Sequence, residues 1–133
     1  MSGGPLAGVR VIDLTQVVLG PMGTQILGDA GADVVKVEPP AGDMTRFIGP
    51  RRSEGMAAYF ANLNRNKRSV VLDLKRAPAR AALMRLVEGA DVFVHNMRLS
   101  AAARLGLIAA GWSPRPLFGR LFLHRRSFAR FCR

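Results

Sequence analysis

Positive charge is concentrated around one short apolar run of this chain. Arg65, Lys67 and Arg68 precede that run in the stretch NRNKRSVVLDLK, and Lys75 follows it. Arginine and lysine bind phosphate through charge-assisted hydrogen bonds, and arginine often provides two at once. The pattern indicates a phosphorylated, nucleotide-type ligand. The alternative is that these are solvated loop charges.

Few other residues have the chemistry of an acid, a base or a nucleophile. His95 ends an apolar run and could exchange a proton, but the sequence offers it no evident partner. Asp13 lies inside an apolar run, where a structural hydrogen bond is the simpler role. Asp43 and Arg46 in GDMTR have turn spacing, which favours a local ion pair that shapes the loop. We therefore assign no catalytic residue.

Four apolar runs alternate with helical patterns, and this alternation predicts an α/β fold. Runs rich in β-branched residues predict strands over Val9–Thr15, Asp33–Glu38, Ser69–Leu74 and Asp91–His95. Helical spacing predicts helices over Met22–Ala30, Ala57–Leu63, Ala79–Glu88 and Ala101–Leu105. Such alternation is typical of an open parallel sheet covered by helices, in which ligands bind beyond the carboxyl ends of the strands.

Two glycine-containing segments have simple structural interpretations. GDAGAD at 28–33 lacks the order of a dinucleotide fingerprint and predicts a helix end at Gly31. Gly20-Pro21 follows the first strand and predicts a turn that a ligand could contact.

Composition sets limits on partners and location. The chain has 133 residues, which is at most one domain, and 20 Lys/Arg against nine Asp/Glu give a net charge of +11. Cys132 is the single cysteine, so neither a disulfide within the chain nor a cysteine-rich metal site is expected. We find no signal-peptide pattern and no apolar run of about 18 residues. The expectation is a cytoplasmic protein without a membrane span or a metal.

The last 26 residues, 108–133, differ from the rest. They contain six arginines and no acid, whereas residues 1–107 contain 14 Lys/Arg and all nine acids. No fifth strand is evident in them. Their Leu, Phe and Arg pattern fits a basic amphipathic helix for nucleic acid or anionic membrane. It also fits a shifted reading frame of GC-rich DNA, which we favour; we therefore expect an atypical, poorly ordered tail and no nucleic-acid partner.

Several motifs in order resemble one family. The stretches GVRVIDLTQVVLGPMGTQILGDAGADVVKVEPPAGDMTR, YFANLNRNKRSVVLDLK, ADVFVHNMR and RLGL resemble the N-terminal part of the family III CoA-transferases of the CaiB/BaiF type. Formyl-CoA transferase is similar and α-methylacyl-CoA racemase is a relative. The resemblance implies a Rossmann-like topology for a partial open parallel sheet, as in the N-terminal part of the large domain. It divides the chain into a CoA-binding segment, 1–107, and the tail, 108–133.

The resemblance also implies an activity and a site. The reaction that the resemblance implies is transfer of coenzyme A between an acyl-CoA and a carboxylic acid through an aspartyl anhydride. The implied assembly is an interlocked homodimer. We do not expect this chain to form that dimer. Motif matching implies the following CoA contacts: Val18, Leu19, Leu72, Asp73, Leu74, Lys75, Asn96, Met97, Arg98 and Arg104.

Some positions depart from the family pattern and leave alternatives open. Pro39 follows Glu38 where a basic residue is common, and His95 stands where Glu is common. The Asn-Pro turn, the fifth strand and the catalytic Asp are not recognisable after Leu107, so we expect a truncated, inactive chain. The alternatives are a fragment of a racemase-like isomerase and a stand-alone basic module that binds nucleic acid or anionic membrane through residues 108–133.

Overall fold

The computed structural model describes residues 3–107 and the backbone of two later strands, 115–118 and 121–125. The strands are β1 Arg10–Leu14, β2 Asp33–Glu38, β3 Lys67–Val71, β4 Val92–His95, β5 Arg115–Phe118 and β6 Leu121–Arg125. The helices are α1 Leu19–Asp29, α2 Ala58–Leu63, α3 Ala77–Glu88 and α4 Leu99–Arg104, and a 3-10 helix covers Met44–Phe47.

The strands form one sheet in the order β3-β2-β1-β4-β6-β5. The first four are parallel, whereas β6 pairs antiparallel with β4, and β5 pairs antiparallel with β6. The order 3-2-1-4 is that of a Rossmann-type sheet, so the predicted α/β class and topology are confirmed. The strand order reverses between β1 and β4, and open α/β sheets bind ligands at such a point.

Strand alternation gives the sheet two buried faces with different cores. Ile12 and Phe93 point to the face covered by α3 and α4, where Leu83 and Val87 pack against them. Val11 and Val34 point to the opposite face, where Leu27 of α1 packs. Burial on both faces explains the near-continuous apolar runs of β1 and β2.

Several element boundaries differ from the predicted ones, and the largest differences are at α1 and β3. Helix α1 begins at Leu19 and includes Gly20 and Pro21, which we had predicted as a turn. Proline is accepted there because the first turn of a helix leaves its N–H groups unpaired. Gly20 is needed for close approach, since an added Cβ would lie 2.4 Å from the Cβ of Thr15. Strand β3 begins at Lys67, two residues before its predicted start.

The end of α1 agrees with the sequence interpretation. Gly31 has a φ of +99°, in the left-handed region, and its N–H donates to the carbonyl of Gly28. A glycine at this position ends the helix and directs the chain into β2.

The prediction of no strand after Leu107 was wrong for two segments. Arg115–Phe118 and Leu121–Arg125 form β5 and β6 on the β4 edge of the sheet, so this part is not a helix either. Leu, Phe and Arg alternate there without the β-branched residues that identified the earlier strands. Residues 108–114, 119–120 and 126–133 lie outside the described residues, and the shifted reading frame stays a prediction that DNA sequencing across codons 107 and 108 would test.

Candidate functional site

A cleft of about 570 Å³ lies at the carboxyl ends of the four parallel strands. Its lining residues Leu14 and Val37 belong to the apolar core on the side of the sheet that carries α3 and α4. The lining residues are Leu14, Gln16, Val37, Glu38, Pro39, Pro40, Ala41, Leu72, Asp73, Leu74, Lys75, Asn96, Met97 and Leu105. Apolar walls with a few polar groups are typical of a small-molecule site.

Six of the ten residues predicted to contact the ligand line this cleft. Leu72–Lys75 follow β3 on one side, and Asn96 and Met97 follow β4 on the other. The other four are not among the lining residues. Val18 and Leu19 stand at the start of α1, where Leu19 is 80% exposed. Arg98 and Arg104 are exposed at the two ends of α4.

Arg65, Lys67 and Arg68 lie at the start of β3 and not at the cleft, so the structure does not support their predicted role toward a phosphorylated ligand there. Parallel pairing puts the start of β3 at the opposite end of the sheet from the cleft. Arg65 pairs there with Asp29 at 2.7 Å, and Arg68 pairs with Asp33 at 2.7 Å. These cations already have carboxylate partners, and of the four cations in the stretch it is Lys75 that lines the cleft.

The third of these cations, Lys67, is buried under α1 against a carboxylate from β1. Its Nζ lies 3.0 Å from Asp13 Oδ2 and also donates to the carbonyl of Pro21 and to Asn64 Oδ1. Asp13 is fully buried and also accepts hydrogen bonds from Thr15 and Thr24. Burial lowers the pKa of the Lys67 ammonium, although the Asp13 charge opposes that shift. The structural role we predicted for Asp13 is therefore confirmed.

A second buried ion pair joins β2 to the following loop. Lys36 Nζ lies 3.0 Å from Asp43 Oδ2, with side chains 1% and 0% exposed. The Asp43 Oδ1 atom caps the 3-10 helix by accepting from the N–H and the hydroxyl of Thr45. Burial alone would raise the pKa of Asp43, but hydrogen bonds from Thr45 and Lys36 hold that pKa below its ordinary value.

Arg46 pairs with Glu38, so the predicted pairing of Arg46 with Asp43 was wrong. Its Nε and Nη2 donate to the two Glu38 carboxylate oxygens at 2.7 and 2.6 Å. Glu38 also accepts from the Ser69 hydroxyl and the Asp43 N–H. Burial opposes ionisation of Glu38, but these donors lower its pKa to about 2. Asp43 pairs with Lys36 instead. The spacing of residues within the turn could not predict this pair, because Lys36 lies on β2.

Replacement of Arg46 by lysine tests the geometry of this contact. The guanidinium also donates to the carbonyl of Gly55 and stacks 3.7 Å from the centre of the Phe60 ring. An ammonium group has neither the planar fork nor the stacking face. We expect Arg46→Lys to lower the free energy of unfolding by about 1–2 kcal/mol in urea denaturation. Equal losses in Arg46→Lys and in Arg85→Lys, at an exposed position of α3, would contradict this prediction.

His95 lies outside the cleft lining. It is fully buried at the end of β4, and its ring centre lies 5.7 Å from that of Phe93. A buried position beside an aromatic ring is a packing environment, so we assign His95 no catalytic role.

The described residues contain no group of three or more His, Cys, Asp or Glu side chains placed to hold a metal ion. No helix within the same residues has the length and apolar character needed to cross a bilayer.

A Rossmann-type sheet with a largely apolar cleft at the carboxyl ends of its strands is an α/β architecture of the kind that binds small molecules. The model of CoA-transferase family III matches residues 6–113, and the chain belongs to this family. The chain is 46% identical over 110 residues to succinate–glutarate CoA-transferase of Agrobacterium fabrum. It is 47% identical over 104 residues to acetyl-CoA:oxalate CoA-transferase of Acetobacter aceti.

Solved structures agree with the sequence relatives. A CAIB/BAIF family protein from Brucella suis superposes with a TM-score of 0.76 at 42% identity, covering 81% of this chain and 30% of that one. Rv3272 from Mycobacterium tuberculosis gives 0.72 at 40% identity, covering 80% and 29%. The matches to the two curated relatives each cover 77% of this chain but only 28% and 26% of the relatives.

Proposed function

We propose that this chain is the acyl-CoA-binding segment of a family III CoA-transferase. The observation that carries the proposal is the meeting of Leu72–Lys75 and Asn96–Met97 across one cleft at the carboxyl ends of the strands. These are positions at which family motifs imply contacts with coenzyme A. The apolar walls suit the adenine and pantetheine parts of the ligand, and Lys75 supplies a cation for a phosphate.

Four further residues complete the proposed contact set. Val18 and Leu19 begin α1 next to the cleft residue Gln16. Arg98 and Arg104 are exposed cations on either side of α4, which follows the cleft residue Met97. Long arginine side chains from such positions can reach phosphates at the mouth of a cleft.

The proposed reaction is transfer of coenzyme A from an acyl-CoA to a carboxylic acid. An aspartate carboxylate attacks the thioester carbonyl, the C–S bond breaks, coenzyme A leaves as a thiolate, and the acyl group stays on the aspartate as a mixed anhydride. We assign this role to none of the described aspartates. Asp13 and Asp43 are buried in ion pairs, and Asp73 is a proposed binding residue. The similarity to succinate–glutarate and oxalate CoA-transferases favours transfer over racemisation.

Titration of the 133-residue chain with coenzyme A tests the proposal. We expect saturable binding by isothermal titration calorimetry, and we expect Lys75→Ala to raise the Kd about tenfold through loss of a charged hydrogen bond. Pantetheine, which lacks the phosphates of the nucleotide end, should bind both proteins equally.

The matched control is Arg85→Ala, which removes an equal charge from an exposed position outside the cleft. Equal weakening by both substitutions would indicate a general charge effect and contradict the assignment of Lys75. Absence of coenzyme A binding to the unsubstituted chain would overturn the binding function.

A further inference from the structure

The loop between β1 and α1 is held through its backbone by side chains from three other parts of the chain. Lys36 of β2 donates to the carbonyl of Thr15 at 2.9 Å. Asn96, after β4, accepts from the Gln16 N–H at 3.2 Å and donates to the Gln16 carbonyl at 2.8 Å. The Val17 N–H donates to Asp43 Oδ2 at 3.3 Å. Three consecutive residues are therefore fixed by long-range contacts.

Val17 adopts a backbone conformation that its side chain disfavours. Its φ is +74°, in the left-handed region, where a β-branched residue is a rare outlier. The side chain is 41% exposed, so burial offsets little of the strain. Such strained residues persist only where their surroundings over-determine them, and they concentrate at binding and active sites. The surroundings here are the hydrogen bonds to the loop backbone.

The Lys36–Asp43 ion pair is the buried part of this arrangement. Lys36 and Asp43 bind each other, and each also binds the loop. Lys36 donates to the Thr15 carbonyl, and Asp43 accepts from the Val17 N–H. A pair of apolar side chains could fill the same volume at no desolvation cost. Apolar side chains could not hold a peptide N–H and a peptide carbonyl at once.

We propose that Lys36 and Asp43 are positioning residues, which hold the Thr15–Val17 backbone in its strained form so that the edge of the coenzyme A cleft is preformed. This inference rests on the proposed function, because Gln16 lines the cleft and Val18 and Leu19 are proposed contacts. A preformed edge binds more tightly, since the cost of ordering it is met during folding.

Asp43→Asn replaces the Oδ2 acceptor of Asp43 and keeps an oxygen at the Oδ1 position. The Asn Oδ1 atom can still cap the 3-10 helix at Thr45, whereas its Nδ2 group would face the Lys36 and Val17 donors. We expect the Kd for coenzyme A to rise about tenfold by calorimetry. We also expect faster hydrogen exchange at the residue 17 amide, measured by NMR without ligand.

Val17→Gly in the Asp43→Asn background separates positioning from stability. Glycine adopts positive φ without steric cost, so the loop can regain its form without the Asp43 contact. We expect recovery of at least half of the lost affinity on a logarithmic scale, while the melting temperature stays lowered because the buried ion pair is still broken. Asp33→Asn, at the opposite end of the sheet, is the control and should leave the affinity unchanged while lowering the melting temperature much less.

Three results would overturn the inference: wild-type affinity in Asp43→Asn, unchanged exchange at residue 17, or a loss of affinity that Val17→Gly fails to recover. If the unsubstituted chain does not bind coenzyme A, the proposed function fails at that step. The exchange measurement then still decides whether Asp43 holds the loop.

Discussion

Replacing Asp13 by asparagine should lower the free energy of unfolding by about 3–5 kcal/mol, because a buried lysine then lacks its counter-charge. Lys67 Nζ lies 3.0 Å from Asp13, and the two side chains are 1% and 0% exposed. The asparagine is nearly isosteric, so packing around it changes little. A domain is stable by only about 5–15 kcal/mol, so the loss is a large fraction of the total. Urea denaturation followed by circular dichroism measures it.

The double substitution Asp13→Asn/Lys67→Met is the informative control. It removes both charges, so the uncompensated ammonium is absent and more than half of the loss should be recovered. Asp33→Asn removes an ion pair with Arg68 in which the aspartate is 36% exposed. Solvent screens such a pair, so the loss in free energy of unfolding should be much smaller than for Asp13→Asn. If the double variant were as unstable as the single one, the cost would come from the lost hydrogen bond of Thr24 to Oδ2 and not from the charge.

The fold was largely predictable from the sequence because its signals are local. The β-branched runs of β1, β2 and β4 lie within one residue of their predicted positions, and Gly31 ends α1 as expected. Parallel order follows from strands separated by helices. The start of α1 was not predictable from Gly20-Pro21, because this pair is compatible both with a turn and with the first turn of a helix.

The buried charges were not predictable because their partners are distant in the sequence. Lys67 and Asp13 are 54 positions apart, and neither type of residue is usually buried. NRNKRS therefore resembled one basic cluster, although Lys67 points inward and Arg68 points to Asp33. Strand alternation was the available signal: Lys67 and Arg68 are adjacent on β3, so only one of them can face α1. Lys75 could be placed at the cleft because the loop that follows a parallel strand lies at the ligand end of the sheet.

Glu38 should make the chain sensitive to acid in a defined range. Its pKa falls from 4.5 to about 2 in the folded protein, since Arg46, Ser69 and the Asp43 N–H together outweigh the effect of burial. Between these values the unfolded chain binds the proton more readily, so acid favours unfolding. The contribution of about 3 kcal/mol is fully present above pH 4.5 and disappears as the pH falls through about 2. The lowered pKa of Asp43 acts in the same direction.

Urea denaturation at a series of pH values from 7 to 2 would measure this effect, with Glu38→Gln as the test variant. Glutamine does not titrate, so the variant should be less stable at pH 7 by about 3 kcal/mol and should lose less stability on acidification. The two curves should therefore converge toward pH 2. Glu54→Gln removes an exposed carboxylate outside the network and should keep the wild-type slope. Parallel curves for Glu38→Gln and the wild type would mean that Glu38 does not carry the acid sensitivity, and the bidentate contact with Arg46 would then contribute packing and not charge.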